Sequence, residues 1–402
     1  EALHEAAANT CGQRRLKYLS LDYDVRIPPC KRGAKDHQGY RIAGILKKRW
    51  LEKVCNEVPS VLVLCFDWSG ERQVPAAEEA QALQRLQHLR RQAASRQLRL
   101  LLFAVVHAGA TDLDSACSFL RQQPEGRDAL VVAAGTADLA AKAAKLEGLV
   151  YRSSMAFYHE EEKRHRRSWA TKPQGVTTAA HNAMQVRNSF KVGFLSEMRR
   201  DARGALRSYI TAYELLRHDV EVADVVERME LCNHITIRMY QLYLQSHDVG
   251  AAVFHCRTHS ATLRACNATD EAVVWRKWNW LAGNHHVFAE LLENVAQQLP
   301  LLLDQVDLMQ FPGYHYQCAA TYVGKLKNWA VAAESGGTLP LPTLAGGELA
   351  DSPFVGQSGA PERPEECPDP AAEARLRGAH RQAAAVLRGD RRLQLLNRAL
   401  AA

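Results

Sequence analysis

The sequence has no apolar run long enough to cross a bilayer. Its longest, Leu100–Val106, falls far short of the roughly 18 residues a spanning helix needs, so no such helix is expected. Its ten cysteines are scattered without a single Cys-x-x-Cys pair, which speaks against a thiolate-rich metal module and against a disulfide framework. They read as small apolar groups in a reducing, cytosolic setting. Charge of one sign is scarce too. A net charge of +7 over 402 residues is far from the clustered basic surface that would make nucleic acid the default partner. The chain opens at Glu1 with neither a methionine nor a charged-then-apolar leader, and is expected to be part of a longer or processed protein. A sequon at Asn267-Ala268-Thr269 is a three-residue match of the kind chance supplies.

Catalytic signatures are missing as well. Gly39-x4-Gly44 approaches a phosphate loop, but Ile45 stands where the lysine must be, and the segment precedes the first strong strand. No Gly-x-Gly-x-x-Gly opens a helix. Gly356-Gln-Ser358-Gly359 lacks the spacing of a serine elbow and lies in a Pro/Gly-rich stretch. His255, Cys256, His259 and Cys266, with His285 and His286 beyond, are metal-ligand types, and His255 and His259 are one helical turn apart. Without a His-Glu-x-x-His or paired thiolates they read as surface and turn histidines beside buried thiols. No catalytic residue, cofactor or metal is expected.

What is present is a change of period. Val58–Asp67, Leu98–His107 and Asp128–Gly135 are continuous apolar runs, as strands covered on both faces would be. They alternate with helical segments Ala76–Gln97, Leu113–Gln123 and Thr136–Gly148. That alternation implies crossovers and a parallel sheet. Leu16–Asp22 could add a strand and Arg41–Cys55 a helix. From about Tyr151 the period is helical throughout. Val186, Phe190, Phe194 and Met198 recur every four residues, and Leu206, Tyr209, Ile210, Tyr213 and Leu216 mark the next stripe. Further stripes run through Val222–Tyr243 and Val287–Val295.

Asp201, Asp248, Gly283-Asn284 and Pro312-Gly313 are read as turns that start new helices. Ala205-x3-Tyr209-x3-Tyr213 has the small-then-aromatic pattern of a tetratricopeptide-like hairpin, at irregular intervals. The fold class is therefore an α/β amino-terminal domain, a parallel sheet with helices, followed by an irregular α-solenoid of tetratricopeptide-like helical hairpins. The expected domains are 1–150 (α/β platform), 151–333 (solenoid), 334–370 (flexible Pro/Gly-rich insertion) and 371–402 (helix continuing the solenoid).

Two basic features stand out. Glu160–Arg167 runs acidic to basic and should pair internally one turn apart. Arg199, Arg200, Arg203 and Arg207 cluster around a helix–helix turn, where they could solvate a face or meet an acidic partner or anionic headgroups. These four are the candidate partner-binding residues.

The segments Tyr158–Glu162 and Gln185–Leu216, together with Tyr40–Trp50, Val58–Leu64 and Pro312–Tyr322, resemble in order the foie gras family, that of subunit 11 of the trafficking protein particle (TRAPP) complex. The resemblance spans roughly 40–330. It implies a non-catalytic scaffold in a vesicle-tethering complex of ER-to-Golgi transport and autophagy, peripheral to Golgi membranes. It also implies other TRAPP subunits as partners and Rab-type GTPases as indirect ones, with nucleotide exchange performed elsewhere in the complex. Two alternatives stay open: an enzyme binding a nucleotide or small ligand at the carboxyl ends of the strands, and a tetratricopeptide-like peptide adaptor.

Overall fold

The computed structural model describes residues 18–20, 27, 44–46, 50–68, 76–94, 96–106, 129–218, 225–266, 271–303 and 307–334. The expected helix Leu113–Gln123, the insertion at 334–370 beyond its first residue, and the terminal helix 371–402 lie outside them. Contacts divide the chain into two units. One comprises Glu1–Asp36, Arg49–Arg167 and Leu195–Asp201; the other comprises His37–Lys48, Ser168–Phe194 and Ala202–Ala402.

In the first unit, β1 (Val61–Trp68), β2 (Arg99–Val106) and β3 (Ala129–Ala134) form a parallel sheet in the order β1-β2-β3. Val61 pairs with Arg99, and Leu101 with Ala129. The continuous apolar run of β2 follows from its central place. Leu100 and Leu102 pack toward Leu86 and Ala93 of α1 (Ala76–Ala94), while Leu101 and Phe103 pack toward Leu146 and Val150 of α2 (Gly135–Arg167). Side chains alternate across a strand, so a strand covered twice cannot alternate in polarity. Each of these buried Leu, Val and Phe side chains contributes about 1.5–3 kcal/mol.

α2 is a single helix of 33 residues, so the boundary expected at 150 falls inside it. Its acidic-to-basic run pairs as anticipated, Lys163 with Glu160 at 3.1 Å and Arg166 with Glu162 at 2.9 Å. The expected helix over Arg41–Cys55 is interrupted: residues 44–46 form a bend with Gly44 at φ +90, and among the described residues of this segment helix runs from Trp50 to Glu57. Residues 18–20 of the expected strand Leu16–Asp22 carry no regular element.

The helices that follow are α3 (Thr178–Met198), α4 (Ala202–His218), α5 (Val225–Gln245), α6 (Val249–Ala265), α7 (Glu271–Gln298) and α8 (Pro312–Glu334). Within the second unit, side-chain pairs fix their directions. Thr236 and Asn233 of α5 meet His255 and His259 of α6, so these two helices are antiparallel. Trp278 meets Tyr322, and His285 meets His315, so α7 and α8 are antiparallel. Glu230 meets Trp280, and Tyr240 meets Asn284, so α5 and α7 run the same way. Gly283 and Asn284, read from the sequence as a turn, lie in the middle of α7.

The helix ends share a device. After α1, α3 and α5, the residues Gln97, Arg200 and His247 take φ of 55, 60 and 59. Each N–H reaches back three residues, and the next N–H reaches back five (Leu98 to Ala93, Asp201 to Ser196, Asp248 to Tyr243). This double bond satisfies carbonyls the ending helix would otherwise strand. Asp248 then caps α6, its carboxylate accepting from the Ala251 N–H at 2.9 Å.

Candidate docking surface and interior histidine network

The four arginines singled out in the sequence do not share one environment. The Arg199 guanidinium donates to Glu162, a carboxylate only 7% exposed that also accepts from Arg166. Arg199 is thereby held by α2, in the first unit, and serves to neutralise a buried charge. Arg200 is exposed at the left-handed position of the α3 end. Arg203 and Arg207 lie one turn apart on the exposed side of α4, in the second unit. The opposite side of α4 buries Ala205, Tyr209, Ala212, Tyr213 and Leu216. Arg203 and Arg207 thus present two cations on a helix whose other face is fixed in the core.

Gly44-Ile45-Leu46, the end of the near-phosphate loop, is occupied from within. The Glu227 carboxylate of α5 accepts from the Ile45 N–H at 2.6 Å and from the Leu46 N–H at 3.4 Å. Arg187 of α3 donates to the Ile45 carbonyl and, at 2.9 Å, to the Gly44 carbonyl. A side-chain carboxylate sits where a loop of this kind would offer its amides to phosphate. Gly44 is required here twice over: its φ is positive, and a Cβ would stand 3.0 Å from Glu227 Oε1. The loops that follow β1 and β2, where an open α/β sheet would bind a ligand, lie outside the described residues.

The interior of the second unit is unusually polar. Asn233 Oδ1 can only accept, so the His259 Nε2 at 2.7 Å carries a proton, and its Nδ1 accepts from the Tyr213 hydroxyl at 3.1 Å. Thr236 Oγ1 lies 3.3 Å from His255 Nε2. The Tyr240 hydroxyl donates to Asn284 Oδ1 at 3.0 Å, and Asn284 Nδ2 donates to Ser260 Oγ at 3.3 Å. Ser260 Oγ lies 3.3 Å from His285 Nε2. His285 Nδ1 and His315 Nδ1 are 2.9 Å apart, and His315 Nε2 donates to the Met309 carbonyl at 2.8 Å.

Burial decides the charge of this network. It lowers His255 and His315 to about 4 and His285 to about 3, and holds His259 well below the usual imidazole range. It also raises the Cys256 thiol to about 11 and the Tyr240 phenol well above its ordinary value. At neutral pH the imidazoles are uncharged, so directional hydrogen bonds join α4, α5, α6, α7 and α8.

The metal-ligand types noted in the sequence are therefore distributed otherwise than their spacing suggests. His255, His259 and His285 are buried, not placed on helix surfaces and turns. His255 and His259 stack with rings 6.4 Å apart and take separate partners. His286 is only partly buried, 3.6 Å from Glu290, and Cys266 is half-buried. Among the described residues the donors that converge are Cys256, His285 and His315. His315 escaped the sequence reading as a ligand type, because it lies in Pro312–Tyr322, which was notable only for its helix start and its resemblance.

Residues 225–402, from α5 onward, match the model described as Foie gras liver health family 1. These residues are similar to that family. The matched residues begin after Tyr158–Leu216, which carry much of the resemblance. The similarity to whole proteins reaches further. The trafficking protein particle complex subunit 11 of Bos taurus is 23% identical over 380 residues, covering 89% of this chain and 32% of that protein. The subunits 11 of Gallus gallus and Homo sapiens are each 23% identical over 350 residues, covering 82% of this chain and 30% of theirs. The chain spans about a third of the length of these relatives. Among the described residues no helix is long and apolar enough to cross a membrane.

Proposed function

We propose that this chain is a non-catalytic scaffold region of a TRAPP-type vesicle-tethering complex, with its helical part an irregular α-solenoid carrying the foie gras segment. The observation that carries this reading is the similarity to subunit 11 of the trafficking protein particle complex over 89% of the chain. The alternating helix directions from α5 to α8 support the solenoid, because stacked two-helix units bury a continuous core and leave long edges for partners. In this reading other TRAPP subunits dock on the chain, Rab-type GTPases are met only through the assembled complex, and nucleotide exchange belongs to other subunits. Association with Golgi and ER–Golgi membranes is peripheral and comes through the assembly, in transport and in autophagy.

Arg203 and Arg207 form the proposed docking cations for an acidic partner surface. The test is co-purification of tagged full chain with TRAPP subunits, read by native mass spectrometry. Stoichiometric recovery is expected, and reduction by at least tenfold when Arg203 and Arg207 are both changed to Glu. Recovery of the chain free of every such subunit overturns the scaffold reading. Undiminished recovery of the double variant overturns the docking face alone.

A further inference from the structure

The second unit contains three soft-to-borderline metal donors, in one place, from three helices. Cys256 Sγ on α6 and one ring nitrogen each of His285 on α7 and His315 on α8 lie within 4.8 Å of one another, and all three residues are buried. We infer that Cys256, His285 and His315 form a binding site for a zinc-like divalent transition metal that cross-links α6, α7 and α8. This site is independent of the docking reading above.

The surroundings of the donors argue for it more than their proximity does. A ligating imidazole needs its second nitrogen held by an acceptor, which fixes the ring and sets which nitrogen keeps the proton. His315 has this: Nε2 donates to the Met309 carbonyl at 2.8 Å, so Nδ1 is left as a lone pair toward the cluster. For His285, Nε2 accepts from Ser260 Oγ at 3.3 Å while Nδ1 faces His315 Nδ1, and the same hydroxyl can accept from Nε2 once Nδ1 is a ligand. The sulfur of Cys256 is near the hydrogen-bonding groups of Tyr240, Ser260 and Asn284. Asn284 Nδ2 points at the sulfur from 3.9 Å. The Asn284 amide favours a thiolate there, offsetting part of the burial that raises this thiol.

Geometry and proton balance are both manageable. Without metal, His285 Nδ1–H donates to His315 Nδ1 across 2.9 Å. Two Zn–N bonds of about 2.0–2.1 Å at a tetrahedral angle place the nitrogens about 3.3 Å apart, so the rings separate by a few tenths of an ångström. On binding, the His285 proton moves from Nδ1 to Nε2, where Ser260 Oγ accepts it, and the Cys256 thiol gives its proton to solvent. One proton is released per metal bound, and no oxidant or reductant is involved. Three protein donors leave one position of a tetrahedron open.

The test uses untagged full chain, stripped with chelator and titrated with Co²⁺ and then Zn²⁺. One equivalent of cobalt is expected, with the visible bands of four-coordinate cobalt and a thiolate charge-transfer band, both bleached by one equivalent of zinc. Cys256→Ser should abolish the charge-transfer band, and His285→Gln should lower affinity at least tenfold. Cys266→Ser, outside the cluster, should change neither. Because a buried substitution can unfold the helices, each variant is first checked by far-ultraviolet circular dichroism. A second readout on wild-type protein, the rise of its melting temperature with zinc, needs no variant. Absence of a cobalt spectrum together with a zinc-independent melt overturns the site, as does a charge-transfer band that survives Cys256→Ser.

Discussion

Gly193 of α3 supplies the sharpest test of the helical packing, because two physical effects of opposite sign meet there. In an isolated helix, replacing glycine by alanine stabilises by about 1 kcal/mol, since glycine surrenders more backbone freedom. In this chain an ideal Cβ at 193 would lie 2.6 Å from Tyr209 Cε1, 2.7 Å from Cδ1 and 3.0 Å from Cζ. Ordinary carbon contacts are about 3.5–4.0 Å, so the ring would have to retreat by about 1 Å. Tyr209 is fully buried, with its ring centroid 5.9 Å from that of Phe190. Overpacking of this order costs about 1–3 kcal/mol. The expected net effect of Gly193→Ala is a destabilisation of about 0–2 kcal/mol in place of a gain of about 1. For a unit of this size, 1 kcal/mol shifts the melting temperature by roughly 2–4 °C. Melts followed by circular dichroism should therefore fall or hold level for Gly193→Ala. In a Tyr209→Ala background the same change should raise the melt, giving a coupling of at least about 1 kcal/mol. A higher melting temperature for Gly193→Ala in the otherwise unaltered chain would refute the close approach of α3 and α4.

Two further outcomes are expected. In chelator, stability of the helical unit should drop steeply as pH falls from 6.5 to 5. The unfolded imidazoles take up protons below about 6.5, whereas His255 and His315 do so only near 4 and His285 only near 3. Their stabilising contribution is therefore present above the unfolded value and lost on acidification. At pH 5 the loss amounts to about 2 kcal/mol for each of the three taken singly, with His259 acting in the same direction. Urea midpoints that stay flat over this range would contradict buried neutral histidines. Glu227→Ala should cost about 2–3 kcal/mol by stranding the Ile45 and Leu46 amides. Hydrogen exchange at those two amides should then accelerate, while Glu227→Gln, which keeps one acceptor, should lose less.

How much of this could be read from residues alone depends on the range of the force involved. The apolar run of β2 was legible because burial on both faces acts position by position, so Leu100–Phe103 announces a central strand. The stripes of α3 and α4 were legible for most members: Phe190, Tyr209 and Tyr213 are buried, whereas Met198 and Ile210 are each 36% exposed. Misreadings arose where a tertiary contact overrides a local preference. Gly148 looked like a helix end, yet α2 runs through it because Leu146 and Val150 are anchored against β2 and β3. Gly283-Asn284 looked like a turn. Asn284 instead has its amide satisfied by Tyr240 and Ser260, so it has no need to compete for its own backbone. The Arg199–Glu162 pair and the convergence of Cys256, His285 and His315 join positions 29 to 59 residues apart. No periodicity encodes such pairings.

The polar interior also bears on how an exposed face could be held for docking. Apolar side chains tolerate sliding along a helix, since burial has no direction. Hydrogen bonds between fixed donors and acceptors do not, and leaving one unmade inside the protein costs about 1–3 kcal/mol. Tyr213 bonds His259, and His259 bonds Asn233, so α4, α6 and α5 share one register. Arg203 and Arg207 lie on the outer side of that same α4. A one-turn slip of α4 would leave the Tyr213 hydroxyl and His259 Nδ1 both unpaired in the core. The register of the exposed cations is thus set from inside, by groups that hold their geometry only while the imidazoles stay neutral.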